Sequence, residues 1–406
     1  MLLRLPKRGP ASVVAKKTRT PMPAGYWIIW TTVALDLVGF GIVAPILGRY
    51  AERFGANGVQ VGLMFASFSV AQMVFAPILG RISDKVGRKP VIVCSLIGTA
   101  IGSFVTGAAG ALWVLFLGRI IDGASGASVS VAQGAVADIA PPEQRAKLMG
   151  MLGAAFGVGF VVGPALGGLA ALGGPHVPFY VAGTIAAINA VAAIIRLPET
   201  KPLNVVHREV SKSKDARSPI LVRFAFAGLI SSLAFSGFEA TFSLFGSERF
   251  NLTEGSTALV FVLVGVVLVA TQGGLIGPLT ARFGSRKLLR GGLVTVGIGL
   301  MVLAFTPHMG WPMLLIALVL LSLGQGLASP SSTALVTEES PPDRRGEALG
   351  YQQSVGAFGR IAGPVLAGAL FDHVGVGAPY FIGALLFAVA LSGVWRITRP
   401  AVIATN

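Results

Sequence analysis

The sequence predicts an all-α integral membrane protein in which twelve transmembrane helices form two pseudo-symmetric six-helix bundles. Three observations predict it. The composition is 53% hydrophobic and only 12% charged, with 54 glycines and 24 prolines spread through apolar runs; a soluble chain of this make-up would have too little polar surface to stay dissolved. Twelve apolar stretches are long enough to cross a hydrocarbon layer of roughly 30 Å, which takes about 20 helical residues. The second half also repeats the first: residues 137–170 overlie 337–370 without a gap, and Pro141, Pro142, Arg145, Gly150, Gly163, Pro164 and Gly168 each meet their own residue type 200 positions on. A second register, offset by 197, sets Gly80, Gly87, Arg88 and Lys89 on Gly277, Gly284, Arg286 and Lys287 once one position slips.

The predicted spans run 27–49, 59–79, 90–109, 112–137, 147–171 and 178–196 in the first half, and 221–246, 256–280, 288–306, 312–336, 347–371 and 378–396 in the second. The chain therefore divides into a basic tail (1–24), a first bundle (25–197), a linker (198–218), a second bundle (219–398) and a short tail (399–406). The first tail carries six Lys and Arg broken by Pro6, Pro10, Pro21 and Pro23, too polar for a signal-peptide core, and is expected to be mobile. The linker, PETKPLNVVHREVSKSKDARS, is polar and basic. Duplicated membrane bundles are the architecture of secondary transporters.

Charge sets the expected orientation. With the N-terminus in the cytoplasm, 27 of the 32 Lys and Arg fall in the tails and cytoplasmic connections, while Arg49, Arg53 and Arg249 fall on the other side. This is the positive-inside pattern, and it places both termini in the cytoplasm. The net charge of +15 then reflects topology and anionic lipid rather than nucleic-acid binding.

Metal, disulfide and nucleotide chemistry have no signal. Cys94 is the single cysteine, and His176, His207, His308 and His373 stand in separate loops without ligand spacing. No G-x-x-x-x-G-K-S/T loop is present to cradle ATP phosphates. The expectation is therefore no cofactor, no enzyme activity, and an ion gradient as the energy source. Coupling to an ion needs an ionisable group inside the membrane, where a charge costs roughly 2.5–3.5 kcal/mol even on insertion scales.

Five such groups stand out: Asp36 in the first span, Arg119 and Asp122 in the fourth, Glu239 in the seventh and Arg360 in the eleventh. Counting along antiparallel helices brings Asp36 and Asp122 near the midplane. Arg119, three residues before Asp122, shares its face and can hold either carboxylate ionised until a proton or cationic substrate competes. A static ion pair that fixes helix packing is the other reading. Glu239 and Arg360 are expected in the outer half of the second bundle, with Gly41 opposite Glu239 when Gly39-Phe40 is laid on Gly237-Phe238. Glu239 reads as a second protonation site, as an anchor for cationic substrates, or as a structural partner of Arg360.

The run Gly80-Arg-Ile-Ser-Asp84-Lys85-Val-Gly87-Arg88-Lys89 resembles the signature loop G-x-L-a-D-r-x-G-r-k of the major facilitator superfamily, departing at Ile82 and Lys85. The resemblance implies that Asp84 joins a charge relay with basic residues and the other bundle, favouring the outward-facing state, with Gly80, Lys85, Gly87 and Arg88 in the same gating loop. Arg119-Ile-Ile-Asp122-Gly123-Ala-Ser-Gly126 resembles the family's fourth-span motif R-x-x-q-G-x-g, whose arginine is implicated in proton transfer; Asp122 replaces an uncharged polar residue there. Gly157-Val-Gly159-Phe-Val-Val-Gly163-Pro164-Ala-Leu-Gly167-Gly168 resembles the fifth-span motif of drug:proton antiporters, with Gly359-Arg360-Ile-Ala-Gly363-Pro364 as its copy. Leu35 to Pro45 looks like the first span of twelve-helix tetracycline and multidrug exporters.

The resemblance implies proton-coupled efflux of small amphipathic or cationic compounds by alternating access, in a bacterial cytoplasmic membrane and by a monomer, with conferred antibiotic resistance as its outcome. Proton coupling is assigned to Asp36, Arg119, Asp122 and Glu239. Conformational roles go to the loop at Gly80, Asp84, Lys85, Gly87 and Arg88 and to Gly159, Gly163, Pro164, Gly168 and Arg360. Substrate contact goes to Asp36, Phe40, Glu239 and Phe242, with Phe65, Phe68 and Phe238 as further apolar lining. A facilitator for a specific metabolite, sugar or lipid, and a receptor that binds without flux, are the alternatives.

Overall fold

The computed structural model describes residues 22–200, 219–306, 310–340 and 345–395. Nearly all of the first tail, most of the linker, the last tail, and His207 and His308 lie outside the described residues. In the first half the helices are α1 (Tyr26–Glu52), α2 (Gly58–Val86), α3 (Arg88–Gly107), α4 (Leu112–Ser125), α5 (Ser128–Ile139), α6 (Pro142–Ala171) and α7 (Val177–Arg196). In the second they are α8 (Pro219–Phe250), α9 (Glu254–Ala270), α10 (Ile276–Phe283), α11 (Ser285–Phe305), α12 (Trp311–Glu339), α13 (Arg345–His373) and α14 (Ala378–Trp395). Among the described residues they make 12 candidate membrane spans, each overlapping one predicted stretch.

Two spans are not the plain helices expected. The fourth breaks between α4 and α5: the Gly126 amide bonds Gly123 O at 3.0 Å and the Ala127 amide bonds Ser125 O at 2.7 Å, so the i to i−4 register is lost. The Gln72 amide on α2 donates to Gly126 O at 3.0 Å, satisfying a carbonyl that the break frees. The eighth span runs α9, then a π turn at Thr271–Leu275, then α10; the side-chain-free Gly273 and Gly274 sit in that turn.

The duplication is visible in packing. α1 lies along α6 and α3 between α4 and α7, just as α8 lies along α13 and α11 between α12 and α14. Glycines set the spacing. A Cβ added at Gly163 would fall 2.6 Å from Gly41 Cα, and one at Gly237 would fall 3.2 Å from Gly363 O. Gly41 meets Gly159 and Gly163 of α6, and Gly237 meets Gly363 and Ala367 of α13, so in each half the first span packs closely on the fifth at small residues. Each half turns from its second to its third span through a positive-φ glycine, Gly87 at φ 112° and Gly284 at φ 78°, a conformation costly for any residue with a Cβ.

The halves meet chiefly through α2 with α13 and α6 with α9, and among the described residues these contacts run from mid-depth, where Gly265 lies on Phe160 and Gly157 on Val269, to one end. At the end away from the termini, Arg53 pairs with Glu254 at 2.7 Å and Arg49 reaches Ser247. There Asp372, at the close of α13, accepts from the amides of Gly58 at 2.9 Å and Val59 at 2.8 Å, the first residues of α2. Gly168 faces Gly255 and Ala258, and Gly62 lies on Pro364. Towards the termini the same four spans part: Gly80, Gly150, Gly153, Gly273, Gly274, Gly277 and Gly350 all border open space, and Met73, Val74, Ile78 and Ile82 of α2 are exposed. A cleft between the halves thus opens at the end carrying the termini and is sealed at the other.

Candidate functional site

The first-half site forms where α1, α2 and the broken fourth span converge. Asp36 stands ten residues into α1, about 15 Å along the axis at 1.5 Å per residue. Its carboxylate accepts from the hydroxyl of Ser128, the first residue of α5, so the break in the fourth span delivers that donor. Asp122 lies within electrostatic reach, as counting along the helices anticipates.

Arg119 is 2% exposed and pairs with Asp122 at 2.7 Å. Its guanidinium also lies 4.3 Å from the centroid of the Phe68 ring, a cation–π contact, and Phe40 stacks at 5.8 Å from Phe68. Phe40 is one helical turn beyond Asp36 on the same face. Asp36, Phe40, Phe68, Arg119, Asp122 and Ser128 therefore form one constellation. In it Arg119 is committed to Asp122, and Asp36 has a neutral hydroxyl partner. Ser128 carries no signal of its own in the sequence, because serine is common in membrane helices and only the helix break reveals its role.

In the second half, Arg360 stands at the middle of α13 rather than in its outer half. Glu239 and Arg360 act on each other electrostatically without an ion pair between them, and Glu239 Oε1 is buried without a hydrogen-bond partner.

Phe238 and Phe242 do not line a cleft, which corrects their expected substrate contact. Both are fully enclosed and pack on Phe261 at 5.8 and 5.7 Å, because that face of α8 points into its own half. Phe65 is likewise buried.

The loop after the second span is tied within its own half. Arg88 pairs with Asp84 at 2.6 Å and Asp138 at 3.0 Å and donates to Ser83 Oγ at 2.7 Å. Glu199 accepts from the amides of Arg88 and Lys89 at 2.8 and 3.2 Å, capping α3. Asp84 and Lys85 face outward, and the ion partner of Asp84 belongs to the first half. The second half repeats the tie with Arg286 to Glu339.

The glycine run of α6 serves two neighbours. Gly159 and Gly163 lie on α1 of the same half, whereas Gly157 faces Val269 and Gly168 faces Ala258 of α9 in the other. Pro164 lies inside the helix, where it removes a backbone donor.

A family model described as Major Facilitator Superfamily matches residues 29–276 and again 224–406. The chain belongs to the major facilitator superfamily. As a member it is a multi-pass membrane protein of a transporter family. It is 30% identical over 382 residues to the tetracycline resistance protein, class C, of Escherichia coli, an alignment covering 91% of this chain and 96% of that one. It is 27% identical to multidrug resistance protein 2 of Bacillus subtilis (strain 168), covering 96% and 100% of the two chains. Among solved structures, a bacterial homolog of the human lysosomal transporter Spinster, in an inward-facing and occupied conformation, superposes with a TM-score of 0.73 at 14% identity, over 91% of this chain and 95% of that one. That likeness shows the shared fold.

Proposed function

We propose that this chain exports small amphipathic or cationic compounds, drugs among them, in exchange for protons entering along their gradient. The observation that carries the reading is the state of Asp36: a carboxylate at mid-depth, held by one hydroxyl and not by the neighbouring Arg119, beside a cleft open at one end. A carboxylate so placed takes up a proton at modest cost, because neutralising it removes a charge from a medium in which charge is expensive. Its aromatic neighbours Phe40 and Phe68 offer loose apolar contact to a flat substrate.

The cycle follows from the two ends. With the cleft open towards the termini, Asp36 communicates with that side, releases its proton there, and substrate enters the cleft. Rocking the halves seals that end and opens the other, where Arg53 parts from Glu254 and Asp372 from α2. Substrate leaves and a proton returns. Arg119 and Asp122 neutralise each other throughout and supply a fixed field beside Asp36. The positive-inside pattern supports both termini in the cytoplasm of a bacterial inner membrane, which makes this state inward-open. Each chain holds both halves of the pathway, which supports a working monomer with no cofactor.

The similarity to tetracycline and multidrug resistance proteins along nearly the whole chain supports export of that substrate class. The test is flux of ethidium and tetracycline in proteoliposomes with and without an imposed pH gradient, for the native chain and Asp36→Asn. Gradient-driven flux that collapses in Asp36→Asn is expected. Equal flux in both proteins would remove Asp36 as the coupling site, and flux indifferent to the gradient would turn the reading to a facilitator.

A further inference from the structure

The break in the fourth span separates two pieces of chemistry. α4 carries the pair of Arg119 and Asp122, and α5 opens with Ser128, whose hydroxyl donates to Asp36. How α5 is set against α4 therefore decides whether that hydroxyl reaches the carboxylate. Backbone register does not fix the setting, because it is lost at Gly126 and Ala127.

The side chain of Gln72 on α2 holds the break from outside. Its Nε2 donates to Gly126 O at 3.0 Å, and the bare Gly126 admits it, since a Cβ there would fall 2.8 Å from that nitrogen. One turn earlier on the same face of α2, Phe68 receives the end of α4: a Cβ on Gly123 would fall 2.3 Å from Phe68 O, and the Phe68 ring carries the Arg119 guanidinium. Thus α2 registers both pieces of the fourth span, α4 by close glycine contact and the start of α5 by a directional hydrogen bond. Gln72 stands in the apolar run Val70-Ala-Gln72-Met-Val-Phe75, where an amide is costly unless it is hydrogen-bonded.

From Gly126 the path to the acid is short. Ser128 is two residues on, and Ala127 between them is fully buried, so a displaced Gly126 carbonyl displaces the hydroxyl. The charged group acting on Asp36 is Asp122, itself paired with Arg119. The other contacts on α1 are neutral near Asp36: α6 brings Gly159 against Leu37 and α7 brings Asn189 to Thr32 O at 2.9 Å, while α8 and α9 meet α1 nearer its far end, at Gly48 and Arg53.

We propose that Gln72 is a positioning residue for the proton site: its hydrogen bond to Gly126 O sets the break in the fourth span so that Ser128 meets Asp36. It acts through Ser128 and carries no proton itself. Its biological meaning rests on the reading of Asp36 as the proton carrier.

Infrared titration of the purified full chain in lipid tests it, following the carboxyl band that Asp36→Asn removes, with thermal unfolding of each variant. Gln72→Met keeps the length of the side chain and loses the donor; it is expected to move the midpoint by roughly half a pH unit, about a threefold change in proton affinity, in the direction that Ser128→Ala moves it. Gly126→Ala is expected to do the same by displacing the amide from the opposite side, on a backbone at φ −71° and ψ 35° that accepts a side chain, and it carries the test alone should Gln72→Met unfold. In a Ser128→Ala background Gln72→Met is expected to add nothing, because residues acting through one contact are not additive. A native midpoint in both folded variants, an equal shift with and without the Ser128 hydroxyl, or a native chain lacking the Asp36-dependent band would each overturn the role. The two readings fail separately: a midpoint moved by Gln72→Met without gradient-driven flux in the native chain removes only the coupling, whereas Asp36-dependent flux with an unmoved midpoint removes only the role of Gln72.

Discussion

At the scale of residues, the buried charges matter most, and Asp122 is the one whose removal has the most calculable cost. It is the ion partner of an Arg119 that is 2% exposed. Breaking a buried pair by deleting one member typically costs about 3–5 kcal/mol, because the other charge is left without compensation. Asp122→Ala is therefore expected to lower the apparent melting temperature in detergent sharply, and Arg119→Met combined with Asp122→Leu to regain much of the loss. A single variant as stable as native would contradict the static role assigned to the pair. Ser128→Ala, by contrast, leaves the fold intact and takes the hydroxyl from Asp36; the pH at half-maximal gradient-driven flux is expected to shift, measured across a pH series. The charged residues of the site are legible in the sequence because an acid or arginine stands out within twenty apolar positions. Ser128 is not, and Phe242 is misplaced by sequence alone, because residue type gives chemistry while the facing of a helix depends on which neighbours pack against it.

Helices and their junctions are legible in number and extent, since twelve apolar runs must each satisfy their own backbone in lipid. The interruptions are not. The breaks at Gly126 and at the π turn of Thr271–Leu275 are matters of hydrogen-bond register, which hydrophobic pattern does not encode; the only signals are Gly126 and the pair Gly273-Gly274. The junction with the clearest consequence is the cap that Asp372 places on α2 across the halves. Replacing a side-chain cap by alanine costs about 0.5–2 kcal/mol, so Asp372→Ala should shift the balance towards the state open at the other end by about 2- to 30-fold. Spin-label distances between the far ends of α2 and α13 would read the shift, and unchanged distances would mean that the cap is incidental. Gly153, which borders open space in this state, tests closure of the other end. Gly153→Leu is expected to leave the melting temperature within a few degrees while reducing turnover severalfold, because the cleft can no longer close over it.

For the whole molecule, the repeat at 200 positions makes the two-bundle architecture readable from the chain alone, because duplicated sequence folds into duplicated bundles. Which end of the cleft is open is not readable there, since one sequence serves both states. In a Cys94→Ser background, single cysteines at Gly150 and Gly273 are expected to react with a water-soluble maleimide added on the side of the termini, while one at Ser243, buried at the sealed end, does not; substrate binding should slow the first two. Exchange of substrate for protons through Asp36 is best measured by reversing the usual drug-flux experiment, following proton movement driven by an imposed substrate gradient in proteoliposomes with no initial pH difference. Coupling through Asp36 requires that an outward tetracycline gradient acidify the vesicle lumen with the native protein and have no effect with Asp36→Asn. Tetracycline flux through the native protein with no accompanying proton movement would contradict it.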